Sequence, residues 1–162
     1  MAPAADPKRL QIMQAAATAL RAINGGSTYW YTVKAASVQL DVLTTLLNMP
    51  STNLPGFVIE ASPNSERVLE GGLVIKDAFD FIVLGRVDVD GSASGDKKVT
   101  AGEKLAHDVE VALAVDERLG MPSLVISART QPAEVIYDAG TTNAVFVGTR
   151  VRCLYKRNYG QP

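Results

Sequence analysis

One histidine and one cysteine set the limit of what this chain's side chains can do. His107 precedes Asp108, but neighbouring residues on a helix point in different directions, so the two do not form an oriented dyad. His107 reads as a helix-surface or interface residue. No G-x-S-x-G elbow is present to supply a serine nucleophile. Cys153 falls on the apolar face of an alternating strand and reads as a small buried hydrophobe. A Cys153–His107 nucleophile pair would need a cleft that nothing in the spacing indicates. The run Asp88-Val89-Asp90-Gly91-Ser92-Ala93-Ser94-Gly95-Asp96 superficially resembles a calcium loop. Counted from Asp90, Gly95 takes the sixth place and Asp96 the seventh, but the twelfth is Ala101 rather than the bidentate Glu that closes coordination. The run reads as an exposed loop. Gly25-Gly26 and Gly71-Gly72 do not extend into a phosphate-binding motif. Glu60, Glu66 and Glu70 could serve as an acid/base pair only with a pocket to place them. Tyr29, Trp30 and Tyr31 beside Lys34 have the makings of a base-stacking platform, although aromatics at strand spacing are commonly core or interface. The expectation is therefore no catalytic residue, no metal and no cofactor.

The elements that would position these residues follow from periodicity. A first helix is predicted over residues 7–23, with Asp6 as cap and Pro7 at its first position. Leu10, Met13, Ala17 and Leu20 recur at helical spacing beside a second stripe of Ile12, Ala16, Ala19 and Ile23. Residues 28–33 are aromatic and β-branched and read as a strand. Val38, Leu40 and Val42 alternate, and Leu43, Leu46 and Leu47 form an apolar cluster of undecided type. A loop at 50–55 leads to a short strand at 56–61, then to a loop or irregular edge at 61–72. Residues 73–89 are apolar on both parities and read as a central strand. A turn-rich loop covers 88–98. A second helix is predicted over 100–119, with Thr100 and Glu103 as a capping box, Gly120 as C-terminal cap and Pro122 as the stop. Strands are expected at 124–128 and 133–137, a turn at 138–143, and a long final strand at 144–156. In that strand Val145, Val147, Thr149, Val151, Cys153 and Tyr155 share the buried side. The order argues α+β: two main helices packed on a mostly antiparallel β-sheet, in a single domain.

Length and composition agree. The 162 residues suit one domain of ordinary size, 47% of them hydrophobic and 20% charged, as in a globular chain. The single cysteine excludes an internal disulfide and a Cys-rich metal site. Residues 1–9 lack the apolar core of a signal peptide, and no apolar run approaches a membrane span. A soluble chain made in the cytoplasm, with no membrane partner, is expected. The formal charge of −1 gives no bulk pull toward nucleic acid. It hides an uneven distribution, however. Residues 1–36 carry +3, residues 37–96 carry −6, residues 97–141 carry −2 and residues 142–162 carry +4. This reads either as solvated surface or as two complementary surfaces meeting head to tail between copies of the chain.

Taken in order, these features resemble those of the tail terminator (tail-completion) proteins of tailed bacteriophages. The resemblance covers most of the chain. It rests on the helix Arg9-Leu10-Gln11-Ile12 to Ala19-Leu20-Arg21-Ala22-Ile23, closely followed by Tyr29-Trp30-Tyr31-Thr32-Val33. Leu54-Pro55-Gly56-Phe57-Val58-Ile59 then enters a strand after a proline, and an apolar strand covers residues 79–87. The helix beginning Ala101-Gly102-Glu103 follows, then the strand 146–155 and the tail Lys156-Arg157-Asn158-Tyr159-Gly160-Gln161-Pro162. The resemblance implies a non-enzymatic virion protein that assembles as a homohexameric ring on the head-proximal end of the tail tube. Its implied partners are itself, the tail tube protein and a head-completion or adaptor protein of the neck, with DNA passing through unbound. Within that frame Arg150, Arg152, Lys156 and Arg157, with Asp88, Asp90 and Asp96 of the loop, are the expected subunit or neck contacts. Three other readings stay open. They are a head-completion adaptor, a small hydrolase with a deep polar pocket, and a module binding single-stranded nucleic acid through Tyr29, Trp30, Tyr31 and the basic final strand.

Overall fold

The structure, a computed structural model, describes residues 8–69, 74–89, 95–137 and 143–158. The chain forms α1 (Lys8–Arg21), β1 (Val38–Gln39), α2 (Leu43–Leu47), β2 (Gly56–Leu69), β3 (Val74–Asp88), α3 (Gly95–Ala114), β4 (Val125–Thr130), β5 (Glu134–Tyr137) and β6 (Ala144–Asn158). The architecture is α+β. One sheet holds six strands, antiparallel except for the short parallel pair β1–β2.

Burial on both faces makes β3 the centre of the sheet. It pairs with β2 on one side and, along its whole length, with β6 on the other. The remaining side of β6 is shared by β4, against residues 151–155, and β5, against residues 145–148. These two short strands are one row with a joint at 131–133. Pro132 cannot donate to a ladder, and three other backbone groups of the joint find partners singly. The Gln131 N–H donates to the Arg150 carbonyl at 2.9 Å. The Thr149 hydroxyl donates to the Gln131 carbonyl at 2.6 Å. The Ala133 N–H donates to Glu110 of α3 at 2.6 Å. The sheet is thus five rows across: the short β1, then β2, β3, β6 and β4–β5.

Helices α1 and α3 cover one face. Ile12, Ala16 and Leu20 from the first, with Ile23 just beyond its end, and Leu105, Val109, Ala112 and Leu113 from the second, meet Phe57, Phe79, Phe81, Val83, Val147, Val151 and Cys153. Burying each large side chain here contributes about 1.5–3 kcal/mol. Two glycines let the layers approach. A Cβ on Gly102 would stand 2.4 Å from Val135 Cγ1, and one on Gly85 would stand 2.5 Å from the Phe57 ring. On the opposite face α2 covers one end of the sheet. Leu46 and Met49 pack there on Val58, Leu84 and Phe146.

Several sequence expectations need correction. Residues 28–33 form no strand beyond an isolated Asn24–Thr32 bridge. Their ladder donors are taken elsewhere: the N–H groups of Trp30 and Tyr31 go to the Asp108 carboxylate, so the segment folds back onto α3. The second helix begins at Gly95, which places Thr100 inside it and removes the Thr100–Glu103 capping box. It ends at Ala114 rather than 119, because Asp116 takes the Arg118 and Gly120 N–H groups into a tight turn. The Glu117 carbonyl of that turn receives the Ala128 N–H of β4. Of the two readings of 61–72, loop or irregular edge, the described part takes the second: β2 continues to Leu69, with a bulge between Ala61 and Ser65 that absorbs Pro63. The cap Asp6, the first position Pro7 and Glu70 lie outside the described residues.

Candidate assembly surface

The face of the sheet left open beside α2 carries the predicted cationic residues. Even-numbered residues of β6 point there, so Arg150, Arg152 and Lys156 stand exposed on one side while their odd-numbered neighbours are buried. Across the ladder Arg150 is in register with Ile82, Arg152 with Asp80 and Lys156 with Lys76. Arg129 of β4 flanks Arg152 from the other side. Arg157 is placed by its backbone opposite Ile75, and its side chain lies outside the description.

These residues do not share one role. Arg152 is engaged within the chain. Its Nη2 lies 2.7 Å from Glu66 Oε2, and its Nη1 lies 3.8 Å from Asp80 Oδ1. The first pair is exposed and worth about 0.2–1 kcal/mol. The second matters more, because Asp80 is only 6% exposed and a buried carboxylate without a cation is costly. Part of the acid–base complementarity legible in the sequence is therefore satisfied inside one sheet.

The acidic residues expected at the 88–98 loop also separate. Asp88 forms a two-pronged ion pair with Arg86, at 2.9 and 3.0 Å. The same guanidinium donates to the carbonyls of Leu46 and Leu47, at 3.2 and 2.7 Å, and so fastens the end of α2 to the sheet. Asp90 lies outside the described residues. Asp96 sits in the first turn of α3, where only its backbone is placed. Residues 95–101 are helical and do not wrap an ion as a calcium loop would. Among the described residues no group of three or more His, Cys, Asp or Glu converges on a metal position.

A second surface feature went unread in the sequence. Asp108 is fully buried, and its carboxylate accepts from Trp30 N–H at 2.9 and 3.0 Å and from Tyr31 N–H at 2.8 Å. That grip displays Trp30, whose residue surface is 62% exposed, with the Lys104 ammonium 4.5 Å from its ring centroid. Beside it, a shallow opening of about 280 Å³ is lined by Tyr31, Lys97, Thr100, Ala101 and Lys104. Burial and the neighbouring Asp108 charge push the Tyr31 phenol above its ordinary range. The signal for Asp108 was in the sequence: it is an acid in the stripe Leu105, Asp108, Val109, Ala112, on the side of the helix that must face the core. His107 is exposed. Cys153 is buried, and burial pushes its thiol up to about 12.

Two further openings lie elsewhere. One of about 300 Å³ runs between α1 and the end of α3, lined by Ala15, Ala19, Ala22, Tyr29, Ala112 and Leu119 among others. One of about 360 Å³ lies beside α2, lined by Gln39, Thr44, Thr45 and Asn48 among others. Neither gathers carboxylates. Glu60 and Glu66, weighed above as an acid/base pair, lie on the open sheet face on either side of the β2 bulge, and Glu66 is committed to Arg152. Among the described residues no helix is long and apolar enough to cross a membrane. No family model matches the chain, and no curated protein matches it.

Proposed function

We propose that this chain is a structural ring protein of a tailed-phage neck, acting as a tail terminator. It would cap the head-proximal end of the tail tube and join the tail to a head-completion or adaptor protein, with DNA passing through the ring. One observation carries the reading. Among the described residues the sheet's outer strands are β2, met by β1 at Phe57 and Val58, and the β4–β5 row, whose Ala128 N–H is taken by the Glu117 carbonyl. The two edges differ in charge and shape. Unlike surfaces on opposite sides of a subunit suit head-to-tail contacts, which form a ring when the rotation between neighbours closes. The α+β layering, with one long helix before the sheet and another between its strands, supports the resemblance drawn from the sequence, although residues 29–33, expected there as a strand, form none.

Imaging of the purified virion tests this. Density for the chain against the tail tube is the expected result. Density directly against the portal or its adaptor would move the assignment to a head-completion adaptor. A chain that stays monomeric at every salt concentration and forms no ring in the particle would overturn it.

A second reading is favoured by the exposed Trp30 beside Lys104 and Lys97. An indole and ammonium groups can stack on and neutralise single-stranded nucleic acid. Quenching of Trp30 fluorescence by oligonucleotides at moderate salt would support that role, and an unchanged signal would remove it.

A further inference from the structure

We propose that the open sheet face docks a carboxylate-bearing segment of a neighbouring protein, with Arg129 of β4 and Arg150 of β6 gripping the carboxylate. Such docking needs no ring, and a ring needs no such docking.

A triangle of arginines is the first support. Arg129 is in register with Arg152 across the β4–β6 ladder, and Arg150 stands two residues from Arg152 on the same side of β6. Arg129 and Arg150 are therefore diagonal neighbours, about 7–8 Å apart along the sheet. Like charges set this close repel. Arg152 is answered by Glu66 and Asp80. Arg129 and Arg150 are both exposed, and among the described residues neither makes an ion pair. Glu134, in register with Gly148 and so diagonal to Arg150, makes none with it either. Two planar guanidinium forks side by side, with no carboxylate of their own, match the two oxygens of an incoming one.

Apolar surface adjoins them. Ile82, across the ladder from Arg150, and Leu154, beyond Arg152 on the same face, are half-buried. Ile136, further along this face, is 52% exposed. Arginine beside partly exposed apolar side chains is the make-up of a protein interface.

The charge balance of the face argues against nucleic acid as the occupant. The same rows hold Glu60, Glu66, Asp80 and Glu134, four carboxylates against the three arginines. A nucleic-acid backbone brings a phosphate at every step and would press some of them on these acids. A single carboxylate between Arg129 and Arg150 gains both cations without setting further anions beside Glu60 or Glu66.

Nuclear magnetic resonance of the isotope-labelled full chain tests this through the arginine Nε–H signals. The probes are the blocked peptide acetyl-Leu-Ser-Glu-Ser-Leu-amide, its lysine analogue, sodium acetate and a short oligothymidylate. The glutamate peptide is expected to shift the Arg129 and Arg150 signals together and saturably, and the lysine analogue to shift neither. Acetate, which lacks the apolar part, should bind roughly tenfold more weakly than the peptide. Arg129→Gln and Arg150→Gln each change an exposed side chain, should keep the fold, and should each weaken the peptide roughly tenfold. Acetate binding as tightly as the peptide would reduce the site to an adventitious ion only and overturn the docked segment. Tighter binding of oligothymidylate at the same arginines would overturn it in favour of nucleic acid. Shifts of these signals on concentrating the chain alone would overturn it in favour of a second copy. No shift with any probe would overturn it outright. None of these results bears on whether a ring is seen in the particle, so the two readings fail separately.

The free chain offers a second measurement. Arg129→Gln relieves repulsion from Arg150 and Arg152, so it should raise the urea midpoint at low salt, and the gain should fade as added salt screens the charges. A midpoint lowered at low salt would mean that Arg129 is answered within its own chain, and would overturn the proposal.

Discussion

Replacing Asp108 with alanine should detach the Trp30 loop from α3. The carboxylate is buried and serves two backbone donors, Trp30 N–H and Tyr31 N–H, at 2.8–3.0 Å. A hydrogen bond to a charged group contributes about 1.5–3 kcal/mol, so two donors set a ceiling of roughly 3–6 kcal/mol. Both donors are only part-buried, so water recovers some of this, and the variant no longer has to bury a carboxylate. The net expectation is about 2–4 kcal/mol, or a melting temperature lower by about 5–15 °C for a chain of this length. The chain carries its own reporter, since Trp30 is its only tryptophan. Release from Lys104 and from the loop should shift its emission to the red and increase its quenching by acrylamide. Asp108→Asn keeps one acceptor oxygen in the same shape and should recover about half of the loss. A loss below about 0.5 kcal/mol for Asp108→Ala, with unchanged emission, would refute the reasoning and mean that other contacts hold the loop.

Stability should also fall at alkaline pH. The Cys153 thiol is pushed from 9.0 to about 12 by burial, so the unfolded chain gives up this proton first. The contribution is fully present below pH 9 and is lost as pH rises toward 12, on the order of 4 kcal/mol over the whole range. Tyr31 is raised for the same reason, so Cys153→Ala should flatten the loss in urea midpoints without abolishing it. Arg152→Ala should cost about 1–3 kcal/mol by stripping Asp80 of its cation, whereas Arg150→Ala should stay within about 0.5 kcal/mol; chemical denaturation separates the two. Gly85→Ala drives a methyl into the buried Phe57 ring and should cost about 1–3 kcal/mol in the same assay.

What was legible in the sequence was whatever depended on local periodicity. The two main helices, the central strand and the alternating burial of Val145 to Tyr155 follow from side-chain spacing, because burial of one face is enforced residue by residue. The α+β class followed from the order of those elements. The misread segments are those where a distant group took the backbone's hydrogen bonds. Residues 28–33 have strand composition, yet Asp108, far along the chain, captures their donors. The helix end at Ala114 was decided by Asp116 and by β4, which outweighed the stop signals of Gly120 and Pro122. The charge map behaved similarly. The sequence by itself determined an acidic middle, a basic end and a side-chain repertoire confined to one histidine and one cysteine. Only the tertiary structure decided that Arg152 is answered within its own sheet by Glu66 and Asp80 while Arg129 stands exposed at an edge. Charges along a chain add without regard to distance, but ion pairs form only where strand register brings them within a few ångströms, and register is a property of the folded sheet.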